Sequence, residues 1–213
     1  FISAVLPGIV AESIWQVAPE IVLKETMHCN QTGNSSLFSA LKNIDLSAYD
    51  SLAVGPGIGI DNNDWEKSKD YLIGYEGLLI LDADALNRIS ESKLGSKFFL
   101  ERKFKTWITP HSKEFSRLFP NIKNDTNIAL ALNAAKEFNI SVLLKGANSI
   151  VADNKKVWQL FGTDSQTARA GLGDLLSGFV AGSSSIDLTF CRDITTDFLA
   201  KYVLLHSLAA SKC

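Results

Sequence analysis

Short apolar runs alternate with longer amphipathic ones along the chain. Runs at 2–6, 21–24, 51–55, 77–81, 106–108, 141–145, 149–152 and 157–161 are rich in Val, Ile and Leu and too short to be helices. That is the pattern of strands covered on both faces. Between them, apolar positions recur at helical spacing over 9–17, 36–42, 64–71, 85–89, 113–118 and 125–138. The last is the clearest, with Ile128, Leu132, Ala135 and Phe138 in period behind Asp125, which can cap it. After Phe161 the strands stop, and 175–181 and 193–212 read as two terminal helices. Strands separated by helices need crossover connections, so the predicted fold class is α/β: a three-layer α/β/α arrangement on a mostly parallel central sheet. The turn Asp153, Asn154, Lys155, Lys156 lies between two strands and predicts a hairpin at the sheet's edge. No repeat, low-complexity tract or long linker divides the 213 residues, so one domain over 1–213 is expected.

Charge narrows the partners. With 21 Lys+Arg against 23 Asp+Glu, the net charge of −2 gives no basic surplus for nucleic acid and no disordered polyelectrolyte. No apolar run approaches the ~20 residues that span a bilayer. Cys29, Cys191 and Cys213 are odd in number and far apart, which implies neither a disulfide framework nor a zinc cluster, and a reduced, cytoplasmic setting is expected. Phe1 is not a start methionine and stands in a strand already in progress, so loss of an upstream segment is also expected.

Ligands of open parallel sheets gather beyond the carboxyl ends of the strands. Five segments lie there. Gly55, Gly57 and Gly59 alternate after an apolar strand, which suits either a tight turn or close approach of backbone amides to a ligand. In Asp82-Ala-Asp84-Ala-Leu-Asn87, Asp84 has the position of a helix cap. Asp82 comes too early for one and suits a hydroxyl or a metal-bound water. Pro110 fixes the exit of the next strand, Ser112 can cap the following helix, and His111 stands at its mouth, structural or ligand-facing; Glu114 suits the helix dipole. Lys145 ends an apolar strand, either as a surface lysine or projecting into the cleft, and Gly146 and Asn148 can take positive φ in the loop beyond. Finally, Gly171 and Gly173 lead into a helix whose free amides suit phosphate, with Asp174 either capping it or taking a proton from an alcohol. Leu175, Leu176, Phe179 and Val180 give that helix apolar positions. Gly178, Ala181 and Gly182 suggest close packing on a neighbour.

Taken in order, the segments GPGIG, DADALN, TPHSKE, LLKGANSIVA and GLGD, with the final helix around Tyr202 to Ala209, resemble the ADP- or ATP-dependent NAD(P)H-hydrate dehydratases of the ribokinase-like superfamily. The resemblance implies dehydration of hydrated NADH or NADPH at the expense of ADP or ATP: the hydrate's hydroxyl is phosphorylated, then phosphate leaves as the ring double bond forms. It implies contacts of Gly57, Gly59, Asp82, Asn87, His111 and Asp174 with the hydrated nucleotide. Lys145, Gly146, Ala147, Asn148, Ser149, Gly171 and Gly173 would hold the adenine nucleotide, and Asp174 would be the catalytic base. Mg²⁺ is implied too, with Asp82 and Glu114 as candidates through water and no diagnostic ligand set. The chain departs from the family's A-T-G-G-S-G-D stretch, reading Ala168-Arg-Ala-Gly-Leu-Gly-Asp174, so Leu172 removes a hydroxyl donor and Arg169 adds a cation. Family members begin with a further strand and helix, and many are fused to an N-terminal epimerase domain. The competing readings are a ribokinase-like kinase of thiazole or pyrimidine alcohols and a paralogue that binds nucleotide without turnover. The stripe Phe198, Tyr202, Leu205 and Ala209 is read as core, with the interface of a homo-oligomer as the alternative.

Overall fold

The computed structural model describes residues 2–31, 33–161, 171–191 and 193–210. The stretch 162–170, which includes Arg169, lies outside the described residues, as do Phe1 and Cys213. Two strands, β1 (Ser3–Pro7) and β2 (Val22–Met27), pair in parallel as a sheet of their own. The helix expected over 9–17 is broken into α1 (Gly8–Ala11) and α2 (Ile14–Val17). β-branched Ile9, Val10, Ile14 and Val17 give that segment little intrinsic helicity. Helix α3 (Leu37–Leu41) then leads to the main sheet.

That sheet runs in chain order: β3 (Ser51–Val54), β4 (Leu78–Leu81), β5 (Thr106–Ile108), β6 (Ser141–Leu144), β7 (Ser149–Ala152) and β8 (Val157–Leu160). The first four are parallel, and β6–β7–β8 are antiparallel, with the expected hairpin at 153–156. The crossovers carry α4 (Asn62–Gly74), α5 (Ala83–Glu91), the short α6 (Phe98–Glu101), α7 (Ser112–Leu118) and α8 (Asn127–Phe138); α9 (Leu172–Phe190) and α10 (Thr196–Ala210) close the chain. Thr126, not Asp125, caps α8: its hydroxyl accepts from Ala129 N at 3.2 Å.

Alternation within each strand builds three layers. Leu79 and Leu81 pack with α4, α5 and α7, whereas Leu78 and Ile80 pack with Val180 of α9 and Leu199 and Val203 of α10. Every residue of β4, β5, β6 and β7 is buried, as strands covered on both faces must be. The terminal helices are set differently from the expected stripes. Leu176 and Val180 are buried while Leu175 is exposed; Leu199, Ala200, Tyr202 and Val203 face the core while Leu205 and Ala209 do not. Nor do Gly178 and Gly182 meet a neighbour: an added Cβ at either touches nothing within 4 Å.

Two buried arginines fasten the loops. Arg102 donates to the carbonyls of Leu72, Tyr75 and Gly77, closing the carboxyl end of α4, and burial lowers its pKa to about 10. Arg88, wholly buried on α5, donates to Asp64 Oδ2 (2.8 Å), Gly59 O (2.7 Å), Ile58 O (2.7 Å) and Ser35 O (2.9 Å). Asp64 accepts in turn from Ser36 Oγ and Leu37 N. One ion pair thus ties the loop after β3 to the turn before α3.

Arg88→Met should therefore destabilise the fold by about 3–5 kcal/mol, since it strands a buried carboxylate and three carbonyls; equilibrium urea unfolding measures this. His206, on α10 against Phe179, has no partner for Nε2, and burial lowers its pKa from 6.5. The unfolded chain then binds more protons than the folded one as pH drops below that value, so stability falls on acidification. His206→Phe should flatten the fall of Tm between about pH 7 and pH 5.

Candidate active site

Beyond the carboxyl ends of the parallel strands, the ladder continues for a few residues. Asp82 N donates to Val54 O, Thr109 N to Leu81 O, and Lys145 N to Pro110 O at 2.8 Å. These bonds set the first four segments side by side. Gly55 lies so close to the next segment, at φ +140°, that a Cβ there would stand 1.8 Å from Asp82 O. Gly59, at φ +70°, gives its N–H to Asp84 Oδ2 at 2.8 Å. Asp84 therefore pins the glycine loop, and it is Asp82 that occupies the cap position of α5, accepting from Ala83 N at 2.8 Å. Ala83, the first residue of α5, takes φ +46°.

Asp82 is also the centre of a buried cluster. It is 1% exposed; its Oδ1 accepts from Lys145 Nζ at 2.7 Å and its Oδ2 from Ser177 Oγ of α9 at 2.5 Å. Lys145 Nζ reaches the start of α9, 3.5 Å from where a Cβ on Gly173 would stand. Helix α9 begins at Gly171, with φ +85° and no side-chain cap, and its first intrahelical bond runs from Leu175 N to Gly171 O at 3.0 Å. The amides of Leu172, Gly173 and Asp174 precede that bond and meet no acceptor among the described residues. Asp174 does not cap the helix: it is exposed, and its carboxylate takes no bond or ion pair from a described residue.

His111, rather than Ser112, caps α7. Its Nδ1 accepts from Lys113 N (3.1 Å) and Glu114 N (3.2 Å), while Glu114 Oε2 accepts from His111 N at 2.8 Å, a reciprocal capping box. With Nδ1 an acceptor, the ring proton belongs on Nε2, 3.3 Å from Glu114 Oε1, and the ring is half exposed. Asn87 turns toward α7, where its Oδ1 accepts from Arg117. Gly146, Ala147 and Asn148 form an exposed loop without positive φ, and Ser149 is buried beneath it, donating to Gly146 O at 3.3 Å. A cavity of about 540 Å³ opens between the ends of β1 and β2 and the glycine loop; Pro7, Ile9, Met27, Cys29, Ser35 and Gly57 are among its walls. That volume suits a small-molecule ligand.

Among the described residues no three metal-binding side chains cluster. Asp82 and Glu114 do not fit as magnesium ligands, because their oxygens are committed to Ala83, Lys145 and Ser177 and to His111. The residue that sequence reasoning missed is Ser177. Its signal was a lone hydroxyl between Leu176 and Val180 on the buried face of α9, where a polar group requires a partner.

The sheet with its crossover helices, and a glycine-led helix start beside a lysine, define a ribokinase-like α/β protein. A ribokinase-like protein of Enterococcus faecalis superposes over 97% of this chain and 66% of its own, with a TM-score of 0.71 at 20% identity. The ADP/ATP-dependent NAD(P)H-hydrate dehydratase of Bacillus subtilis, co-crystallised with ATP and Mg²⁺, superposes over 94% of this chain and 64% of its own (TM-score 0.68, 20% identity). The sequence profile described as NAD(P)H-hydrate dehydratase matches residues 9–211. The bifunctional NAD(P)H-hydrate repair enzyme Nnr of Synechocystis is 33% identical over 165 residues, 77% of this chain. The ADP-dependent (S)-NAD(P)H-hydrate dehydratase of Nitrosopumilus maritimus is 34% identical over 137 residues, 62% of this chain. The chain spans 30% of the length of the first and 45% of the second. It belongs to the NAD(P)H-hydrate dehydratase family.

The capping box is open to test. His111→Ala should cost about 1 kcal/mol in urea unfolding, and His111→Asn, which keeps a cap acceptor, should restore most of it.

Proposed function

We propose that this chain is the dehydratase domain of a nicotinamide-nucleotide repair enzyme, a single ribokinase-like domain that uses ADP or ATP to dehydrate hydrated NADH or NADPH. The observation that carries the reading is the start of α9: amides at 172–174 and an exposed Asp174 that have no partner among the described residues, with the Lys145 ammonium beside Gly173. Amides and ammonium together suit the terminal phosphoryl group of a nucleotide, drawing charge from its oxygens as transfer proceeds. Asp174 accepts the proton of the hydrate's hydroxyl as its oxygen bonds to phosphorus and the nucleotide leaves one phosphate shorter. The C–O bond of the phosphorylated hydrate then breaks, phosphate departs, and loss of a neighbouring proton forms the ring double bond.

In this reading the cavity beside Gly57 receives the hydrated nucleotide and Gly59 backs that loop through Asp84, while Asp82, buried, and Asn87, turned to Arg117, stay behind its walls. His111, held by its capping box, turns the half-exposed edge of its ring to the same substrate. Gly146, Ala147, Asn148 and Ser149 form the adenine-nucleotide loop, with Gly171 and Gly173 beneath the phosphates. Magnesium, when bound with the nucleotide, would neutralise phosphate charge, and Asp82 and Glu114 would not be its ligands. No described helix is long and apolar enough to cross a membrane, and Cys29 and Cys191 are free thiols; a reducing, cytoplasmic setting agrees with both. The share of the Synechocystis protein matched leaves room for a fused epimerase domain as partner.

Incubation of purified protein with hydrated NADH and either nucleotide should restore the absorbance of the reduced nicotinamide ring. Phosphorylation of a thiazole or pyrimidine alcohol in its place would establish a kinase, and nucleotide binding with no turnover a binding paralogue. Asp174→Asn should lower kcat by ~10²–10⁴-fold with ADP affinity changed only a few-fold; loss of folding would make Asp174 a structural residue.

A further inference from the structure

We infer that Asp82 is a positioning residue that acts on bound nucleotide through Lys145, with Ser177 tying the start of α9 to the same carboxylate. The inference deepens the proposed function and rests on it. Asp82 is too deeply buried to touch a ligand itself, and its oxygens are already taken by Ala83 N, Lys145 Nζ and Ser177 Oγ. Those three donors come from three different parts of the fold: the first turn of α5, the end of β6 and the second turn of α9.

Lys145 is differently placed. Its side chain remains 23% exposed. An ammonium has three donors, and Asp82 engages one, which leaves two for the space next to Gly173. A lysine at a strand end ordinarily samples many rotamers. Here a buried carboxylate selects one of them, with the charge fixed beside the free amides of α9. Ser177 adds the second half of the device. Standing one turn beyond Gly173, it donates its one hydroxyl proton to Asp82 Oδ2 at 2.5 Å, with Gly173 O a secondary acceptor 3.3 Å away. Cation and amides, the two positive elements of the phosphate site, are therefore held in register by one group.

The backbone is shaped to the same end. Ala83 takes φ +46°, a conformation costly for a residue with a Cβ, and its N–H points back to Asp82 Oδ1. Strain of this kind persists where the surroundings over-determine it, and it gathers at functional sites.

A double-mutant cycle read by calorimetric titration with ADP tests the inference. Asp82→Asn in the parent protein should weaken ADP binding by ~tenfold, whereas in a Lys145→Met background it should change affinity by less than ~twofold, because the residue through which it acts is gone. Ser177→Ala, a milder change, should weaken binding by ~threefold, and Ser177→Thr should restore it. Thermal unfolding of each variant accompanies the titrations; if Asp82→Asn does not fold, Asp82→Ser takes its place in both backgrounds. Equal losses in both backgrounds, or no loss in either, would overturn the positioning role while leaving the nucleotide site standing. Failure of the parent protein to bind ADP or ATP would instead overturn the nucleotide site and this inference with it.

Discussion

The site is built around one buried carboxylate. Asp82 follows the last residue of β4 with its side chain buried, and a buried charge is tolerated only when paired and fully bonded. That requirement draws Lys145 in from β6 and Ser177 in from α9. The start of α9 and the Lys145 ammonium lie side by side, both bonded to Asp82. Arg88 and Asp64 do the same on the other side of the glycine loop: a pair of buried opposite charges fixes Gly59 and Ile58 by their carbonyls.

Much of the main sheet was legible from residue pattern. Eight apolar runs became eight strands, and 106–108 and 149–152 have the bounds read for them. Buried parallel strands give continuous Val, Ile and Leu runs that nothing else in a chain of this length imitates. The pairing was less legible. That β1 and β2 stand apart from the main sheet has no local signature, since hydrogen bonding between distant strands is a property of tertiary packing. The helices were read too short at α4 and α9 and unbroken at 9–17, because polar ends and β-branched interiors blur a periodicity that packing alone decides.

In the candidate site, position in the sheet was legible and hydrogen-bond partners were not. Strand ends were enough to gather Gly55, Asp82, His111, Lys145 and Gly171 into one region. Two of the side-chain readings changed, since Asp82 caps α5 where Asp84 was expected to and His111 caps α7 where Ser112 was; of the two roles open to Asp174, capping is not the one it takes. All three turn on a displacement of one to three residues in where a helix begins. Ser177 was invisible because a serine in an apolar helix announces a partner without naming it.

The β6–β7 hairpin carries one more consequence. Both of its arms are clamped, β6 by parallel β5 and β7 by antiparallel β8, so the four residues between them are spanned by fixed posts. A molecule settling on that short bridge finds a surface whose disorder was already removed when the chain folded. Little of the free energy of association is then diverted into ordering protein, and the lifetime of such a complex is governed by the contacts themselves.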